Sequence, residues 1–285
     1  MRNAIGSPIT RRQLLSLGVC PIAAAVSAAA CRIDHMNEGA LMTRDEQQKQ
    51  GHTVAREGRL LARPKQVERG SPLGLQALGL DRKRDGLLYV PAEYRAERPA
   101  PLAVMLHGSG SNARRGLALL KDFADAAGLM LLAPQSRQYT WDVIVGRYGP
   151  DVAFIDQALA QVFSRYSVDP KRIAVGGFSD GASYALALGL INGELFTHII
   201  AFSPGFLSQT MEPGAPRIFI SHGTRDEVLP INVCSRKIVP RLKRAGYDVR
   251  YREFDGPHAA PPEIVREAVD WFFAKRELSD AFSPR

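Results

Sequence analysis

Short apolar runs alternate with amphipathic stretches along the chain from about residue 75 onward. In the longer stretches apolar residues recur at helical spacing, as at Leu117, Leu120 and Phe123, whereas the short runs are continuous and fit buried strands. This alternation predicts an α/β protein with a mostly parallel central sheet flanked by helices. The predicted strands are 87–90, 102–106, 129–133, 172–177, 198–202, 217–221 and 249–254, and the predicted helices are 115–127, 151–166, 182–190, 231–245 and 262–276.

The first thirty residues follow a different pattern. Arg11 and Arg12 precede an uncharged, alanine-rich stretch that runs from Leu14 to Ala30. A positive start, an apolar middle and small residues at the end are typical of an export signal, and the arginine pair resembles the twin-arginine signal that directs folded proteins across a membrane. A membrane anchor is the alternative, but the stretch is short and weakly hydrophobic for a span. We therefore expect residues 1–30 to be an export signal and the protein to be periplasmic or secreted.

Residues 31–74 are polar and charged, with few large apolar side chains, which predicts a flexible spacer before a single domain at 75–285. Cys31 stands where a lipoprotein signal would place its lipidated cysteine, so membrane attachment through Cys31 stays open, although the usual upstream leucine is absent. The other cysteines, Cys20 and Cys234, complete neither a metal-ligand pattern nor a disulfide framework.

Composition narrows the class of protein. The 285 residues include 45% hydrophobic and 23% charged side chains, which is ordinary for a globular protein with one large domain. The formal charge of +8 would favour anionic surfaces such as lipid headgroups, yet the basic residues are spread along the chain, and no basic run is interleaved with aromatic residues. We therefore expect no nucleic-acid partner, and the sequence does not indicate an oligomeric state.

A G-x-S-x-G motif carries the candidate chemistry. Gly177-Phe178-Ser179-Asp180-Gly181 lies between a predicted strand and a predicted helix, which is the context that this motif requires. A sharp strand-to-helix turn leaves no room for side chains at the glycine positions and presents the serine hydroxyl at a helix N-terminus, where developing negative charge is stabilised. Ser179 is therefore the predicted nucleophile.

A serine hydroxyl needs a base that is itself held by an acid. Asp226 and His258 follow Ser179 in the order serine, acid, histidine, and both lie in loops after predicted strands at the same edge of the sheet. We expect the three residues to form a catalytic triad. Asp255 is a rival acid, although it lies too near His258 in sequence to reach the ring comfortably. Two further histidines are interpreted as structural, His222 beneath the site and His198 in the core.

Acyl transfer also requires two backbone N–H groups aimed at the carbonyl oxygen of the substrate. Asp180, directly after the nucleophile, should supply one of them. Ser109, in the glycine-rich loop after strand 102–106, should supply the other. The side chain of His107 is expected to support this loop and to face away from the substrate.

Trp141 and Asp142 follow the next predicted strand and could line a substrate pocket, with plain packing as the alternative. We expect no metal and no cofactor, because the sequence contains no metal-ligand spacing, no Walker motif and no dinucleotide fingerprint.

These motifs resemble the phospholipase/carboxylesterase group of the α/β-hydrolase superfamily and are similar to the secreted polyhydroxybutyrate-depolymerase and feruloyl-esterase-like families. The resemblance covers about residues 87–273 and implies the α/β-hydrolase fold together with the triad and oxyanion roles given above. The sequence departs from these families at Pro257, where glycine is common, and we expect no appended substrate-binding domain. The matching strings are Leu106-His107-Gly108-Ser109-Gly110, Gly177-Phe178-Ser179-Asp180-Gly181-Ala182, His222-Gly223-Thr224-Arg225-Asp226 and His258.

The sequence therefore predicts a serine hydrolase that cleaves carboxylic esters through an acyl-enzyme. The connection between strands 198–202 and 217–221 is too short for a large lid, so we expect an open pocket for short-chain or soluble esters, with lysophospholipids as a further option. Two alternatives stay open. The first is a thioesterase or peptidase that uses the same triad, and the second is a non-catalytic exported binding protein with this fold.

Overall fold

A computed structural model describes residues 55, 57–67, 71–207 and 216–274 of the chain. These residues contain an eight-stranded sheet with helices on both of its faces. The strands are β1 (Gly74–Ala77), β2 (Leu87–Val90), β3 (Ala100–Leu106), β4 (Met130–Ala133), β5 (Val168–Phe178), β6 (His198–Phe202), β7 (Arg217–Gly223) and β8 (Val249–Phe254). The helices are α1 (Ala113–Ala118), α2 (Lys121–Ala124), α3 (Pro150–Arg165), α4 (Asp180–Ile191), α5 (Ser235–Arg244) and α6 (Pro262–Phe273).

The strands lie in the order β1-β2-β4-β3-β5-β6-β7-β8. β1 and β2 run antiparallel to their neighbours. The other six strands, which lie in the order β4, β3, β5, β6, β7 and β8, are parallel to one another. The prediction of a mostly parallel sheet flanked by helices is thus confirmed. Because parallel strands end at the same edge of a sheet, the loops after β3, β5, β7 and β8 meet at one edge.

Two hydrophobic cores enclose the sheet, one on each face. Leu102, Val104 and Leu106 of β3 pack in the core beneath α3, α4 and α5, whereas Ala103 and Met105 pack in the core beneath α1, α2 and α6. A strand that is covered on both faces needs apolar side chains at every position, which is why β3 reads as a continuous apolar run.

The predicted helix 115–127 is replaced by two short helices, α1 and α2. The N–H groups of Leu119 and Leu120 donate to carbonyl groups three residues earlier in the chain, at 3.3 Å each. This tighter pattern ends α1 before a new helix begins at Lys121. The apolar spacing is the same in a continuous helix and in this broken one, so the sequence pattern does not distinguish them.

Residues 57–67, part of the predicted flexible spacer, lie against the domain. The side chain of Leu60 is buried, and its N–H donates to Oδ1 of Asn192 at 2.8 Å. Oδ1 of Asp156 accepts hydrogen bonds from Leu61 and Ala62, at 2.7 and 2.8 Å. This segment therefore differs from the spacer prediction. It is held by the buried Leu60, by Ala62 and by hydrogen bonds from its backbone to Asn192 and Asp156, and these contacts produce no periodic sequence pattern.

The predicted export signal at 1–30, Cys31 and most of the predicted spacer lie outside the described residues. Within the described ranges, no helix is long and apolar enough to cross a membrane.

Candidate active site

The turn between β5 and α4 holds Ser179 in a backbone conformation that is rare outside glycine, with φ of 58° and ψ of −122°. A Cβ atom on Gly177 would lie 2.5 Å from the carbonyl oxygen of Leu106, and one on Gly181 would lie 2.3 Å from the same oxygen. Both contacts are with backbone, which cannot move aside as a flexible side chain could. The two glycines of the motif are therefore required by packing, and the strain falls on the serine between them.

Ser179 lies at the carboxyl end of β5, near the middle of the sheet. Its N–H donates to the carbonyl of Phe202 at the end of β6 at 3.0 Å, and α4 begins at the next residue. The residue is partly exposed and lines a cavity of about 880 Å³. Its hydroxyl thus stands at the N-terminus of a helix, where negative charge that develops during a reaction is stabilised.

His258 and Asp226 are joined by a short hydrogen bond. Nδ1 of His258 donates to Oδ2 of Asp226 at 2.6 Å. The Asp226 side chain is fully buried, and its Oδ1 accepts from the N–H groups of Val228 and Leu229 at 3.0 and 2.7 Å. His258 is 13% exposed and lines the same cavity as Ser179. The buried carboxylate orients the ring, so Nε2 of His258 is the nitrogen left to accept a proton.

Close packing of the β7 and β8 loops brings Asp226 and His258 together. A Cβ atom on Gly223 would lie 2.4 Å from the carbonyl oxygens of both Gly256 and Pro257, so only glycine permits this approach. The N–H of Arg225 donates to Gly256 at 3.0 Å and holds the two loops in register. Pro257, the departure from the resembling families, is exposed and does not separate the loops.

His222 lies beneath the site, fully buried. Its Nε2 is 3.1 Å from Oδ2 of Asp226 and 2.7 Å from the carbonyl of Leu229, and its Nδ1 is 2.7 Å from Oγ of Ser235. Burial lowers the pKa of His222, which keeps the ring neutral. His222 therefore has the structural place expected of it, but its direct contact with Asp226 was missed by the sequence analysis. The i, i+4 spacing of the two residues after a strand was the available signal.

The other rivals have different surroundings. Asp255 forms an exposed ion pair with Arg225 at 2.9 Å and does not hold His258. His198 is buried against the rings of Trp271 and Phe272, with centroids 5.2 and 4.8 Å away, and is a core residue.

The two expected oxyanion donors have no hydrogen-bond acceptor within the part of the chain that the structure describes. Among the described residues, the N–H groups of Ser109 and Asp180 donate to no other group, whereas the next N–H in the loop, that of Gly110, donates to Tyr139 at 2.9 Å. Gly108 brings the loop to the nucleophile, since a Cβ atom there would lie 3.4 Å from Cβ of Ser179. Two unused donors beside a strained serine are the arrangement that an oxyanion hole needs.

His107 supports this loop from below. It is almost fully buried, its Nδ1 donates to the carbonyl of Gly108 at 2.7 Å, and its Nε2 accepts from the N–H of Ser136 at 3.1 Å. Burial lowers the pKa of His107, so the ring is neutral. Both nitrogens are used in holding backbone, as the supporting role requires.

Three consecutive residues after β4 tie the two sides of the candidate oxyanion hole together. The carbonyl of Tyr139 accepts from Gly110, and Oγ1 of Thr140 donates to Oδ2 of Asp180 at 2.7 Å. Nε1 of Trp141 donates to the carbonyl of His107 at 2.8 Å. We call residues 139–141 the bridging segment, because it contacts both the Ser109 loop and the residue after Ser179.

Trp141 and Asp142 do not line the cavity that contains Ser179, and the sequence-based suggestion of a substrate pocket at these residues is wrong for that cavity. Trp141 has no exposed surface and stacks on Tyr184 with ring centroids 5.1 Å apart. Asp142 is buried. Its backbone N–H donates to the carboxylate of Asp151, and the backbone N–H of Asp151 donates to the carboxylate of Asp142. Burial, together with the nearby Asp142 carboxylate, raises the pKa of Asp151 to about 6. Both predicted residues thus pack the interior.

The described residues contain no group of three or more His, Cys, Asp or Glu side chains that could hold a metal ion. Cys234 is buried and unpaired.

Comparison with known proteins adds a second line of evidence. Residues 152–274 match the family model described as Phospholipase/Carboxylesterase. The chain is 30% identical over 158 residues to a probable feruloyl esterase C of Aspergillus oryzae, which covers 52% of this chain and 57% of that protein. It is 32% identical over 119 residues to acyl-protein thioesterase 1 of Gibberella zeae, which covers 38% of this chain and 49% of that protein. The chain thus spans about half the length of these curated relatives.

The crystal structure of the esterase PE8 has the same fold, with a TM-score of 0.54 and 24% identity over 65% of this chain and 95% of that chain. A mostly parallel sheet with a strained serine on a central strand-to-helix turn defines an α/β-hydrolase. The chain therefore has the α/β-hydrolase fold, and its residues 152–274 are similar to the phospholipase/carboxylesterase family.

Proposed function

We propose that this protein is a serine hydrolase that cleaves carboxylic esters through an acyl-enzyme, with Ser179, His258 and Asp226 as its catalytic triad. The observation that carries the proposal is the 2.6 Å hydrogen bond from His258 to a fully buried Asp226, in a cavity that also contains the strained Ser179. The esterase relatives support the choice of an ester bond.

Acylation uses every group of the site. Oγ of Ser179 attacks the ester carbonyl carbon, and Nε2 of His258 takes the hydroxyl proton. The carbonyl oxygen becomes an oxyanion that accepts hydrogen bonds from the N–H groups of Ser109 and Asp180. As the bond to the alcohol oxygen breaks, His258 returns its proton to the leaving alcohol, and the acyl group stays on Ser179.

Deacylation repeats these steps with water as the nucleophile. His258 takes a proton from the water molecule as its oxygen attacks the acyl carbon, and the same two N–H groups hold the second oxyanion. The acid then leaves, and the proton returns to Oγ of Ser179. Asp226 stays ionised throughout, fixes the ring and stabilises the imidazolium that forms twice in each cycle.

Turnover of a short aryl ester such as 4-nitrophenyl butyrate tests this proposal. Ser179→Ala should lower kcat/KM by at least about a thousandfold, because it removes the group that forms the acyl-enzyme. Ser203→Ala is the matched control, since Ser203 also has positive φ and follows a neighbouring strand, but is fully buried. Retention of activity in the Ser179 variant, with a folded circular dichroism spectrum, would contradict the proposal.

A thioester is the second candidate bond, and the match to an acyl-protein thioesterase favours it. The same acyl-enzyme forms from a thioester, with a thiol as the leaving group. Comparing kcat/KM for an ester, a thioester and an amide of one acyl group separates the candidates. We expect the ester to be turned over fastest, and a tenfold advantage for the thioester would reverse the assignment.

We also propose that the protein is exported through residues 1–30, on the sequence evidence of Arg11, Arg12 and the apolar stretch that follows. The double substitution Arg11→Lys and Arg12→Lys should keep the protein in the cytoplasm, as measured by fractionation of the producing cells. Export of this variant at the normal level would refute the twin-arginine assignment.

Metabolic labelling with a palmitate analogue, with and without Cys31→Ser, reports whether Cys31 carries lipid.

A further inference from the structure

The cavity that contains Ser179 extends well beyond the reacting groups. From His258 it continues between α6 and the α1–α2 region, where its wall is formed by Leu119, Phe123, Ala126 and Val265. With about 880 Å³ it has room for more than the short acyl chain that the sequence analysis expected. The apolar wall indicates that the part of the substrate lying there is itself apolar.

Two arginines line this same cavity. Arg115 of α1 and Arg266 of α6 are both exposed, and among the described residues neither has a carboxylate within ion-pair distance. The guanidinium of Arg266 lies 5.1 Å from the ring centre of Phe123, which keeps its charge beside the apolar wall.

Of the described residues that line this cavity, Asp122 on α2 is the only one with a carboxylate, and it is also exposed. One acid against two arginines leaves the cavity with a net positive charge, apart from His258. A guanidinium group that lies beside an apolar wall and has no carboxylate partner among the described residues can bind an anionic group of a ligand.

We infer that this cavity selects esters in which an apolar chain carries a carboxylate several carbons from the scissile bond, and that Arg115 and Arg266 bind this carboxylate. The inference rests on the proposed function, because it assigns the substrate class of the same site. The apolar chain lies along Leu119, Phe123 and Val265, and the carboxylate reaches the two guanidinium groups.

Two pairs of substrates test this assignment, and within each pair the chain ends either in a carboxylate or in a methyl group. 4-Nitrophenyl hydrogen adipate is compared with 4-nitrophenyl hexanoate, which places the anion on the acyl side. 6-Acetoxyhexanoate is compared with hexyl acetate, which places it on the alcohol side. In at least one pair the anionic ester should have the higher kcat/KM by about tenfold at low salt, and the advantage should shrink at high salt.

Arg115→Gln and Arg266→Gln should each reduce this preference by about threefold to fivefold, because KM rises more for the anionic ester than for the neutral ester. Asp122→Asn should increase the preference. Arg114→Gln is the matched control, because Arg114 is the exposed neighbour of Arg115 and does not line the cavity, so it removes the same charge from a different place. It should leave the preference unchanged.

The outcomes separate this inference from the proposed function. Turnover of the neutral esters that depends on Ser179, without preference for either anionic ester, overturns the inference alone. An effect of Arg114→Gln as large as that of Arg115→Gln also overturns it, since the preference would then come from the overall charge of the protein. Failure of the protein to hydrolyse any of the four esters overturns both.

Discussion

At the scale of single residues, the site depends on two carboxylates, those of Asp226 and Asp180, whose positions are fixed by hydrogen bonds. Asp226 accepts from two backbone N–H groups and from the rings of His258 and His222, so its orientation has little freedom. The carboxylate of Asp180 accepts from Thr140, and the backbone N–H of Asp180 is one of the two expected oxyanion donors. Asp226 thus fixes the ring of His258, and Thr140 fixes the residue that carries one of the expected oxyanion donors.

Thr140 is therefore expected to act as a positioning residue. Thr140→Val keeps the shape of the side chain but removes the hydrogen bond to Asp180, and the bridging segment loses one of its contacts. We expect kcat for ester hydrolysis to fall by about fivefold to tenfold, with KM nearly unchanged, because the lost interaction matters most when the oxyanion forms. Steady-state kinetics measures both constants.

Two further variants make this prediction specific. Thr140→Ser keeps the hydroxyl and should restore kcat. Thr224→Val alters an exposed threonine near Asp226 whose hydroxyl has no hydrogen-bond partner among the described residues, and it should have little effect. Equal losses in kcat and in stability for the valine and serine variants at position 140 would show a packing role instead.

At the scale of elements, the sequence predicts best where the physical constraint is local. The strands 198–202 and 249–254 have the predicted bounds, since apolar or alternating residues between turn signals define them. β1 was not predicted, because a four-residue strand with alternate residues exposed pairs only at the sheet edge and carries little pattern. The break between α1 and α2 was missed because apolar spacing continues through it.

β6 and α6 meet at His198, and this contact gives the protein a pH-dependent stability. Burial, followed by the charges of Arg217 and Arg172, lowers the pKa of His198 from 6.5 to about 4. Between these values the unfolded chain binds the proton and the folded protein does not, so the free energy of unfolding falls as pH falls from 6.5 to 4.

His198→Leu removes this titration. The free energy of unfolding of the variant relative to the original protein should increase by up to about 3 kcal/mol between pH 7.5 and pH 4. Denaturant titrations at several pH values measure this difference. Phe273→Leu, a non-titrating change on α6, should shift stability equally at all pH values. A pH-independent difference between the two proteins would show that the His198 ring has the same pKa in the folded and unfolded states, which contradicts the prediction.

At the scale of the whole molecule, residues 57–67 are part of the packed domain. Asn192 at the end of α4 holds this segment through both sides of its amide, accepting from Leu60 and donating to the carbonyl of Gly58 at 2.8 Å. The sequence could not show this contact, because it joins residues more than a hundred positions apart. The contact between Asp226 and His258 could be anticipated, because parallel topology sends both loops to one edge.

Asn192→Ala should release this segment. We expect trypsin to cleave after Arg59, directly before Leu60, at least about tenfold faster, since the segment then opens without unfolding of the sheet. Mass spectrometry of the fragments over time measures the rate. Asn232→Ala removes an exposed amide that contacts Arg236 and should leave the rate unchanged. An unchanged rate in the Asn192 variant would mean that Leu60 and Asp156 hold the segment without it.

The central claim is that Ser179 is the nucleophile of an acyl-transferring site, and covalent labelling tests it most directly. The folded protein is treated with a fluorophosphonate, and the modified peptide is identified by mass spectrometry. One adduct on Ser179 is expected, strongly slowed by His258→Ala and left unchanged by Ser203→Ala. A folded protein that stays unlabelled, or that is labelled at another serine, would contradict the account.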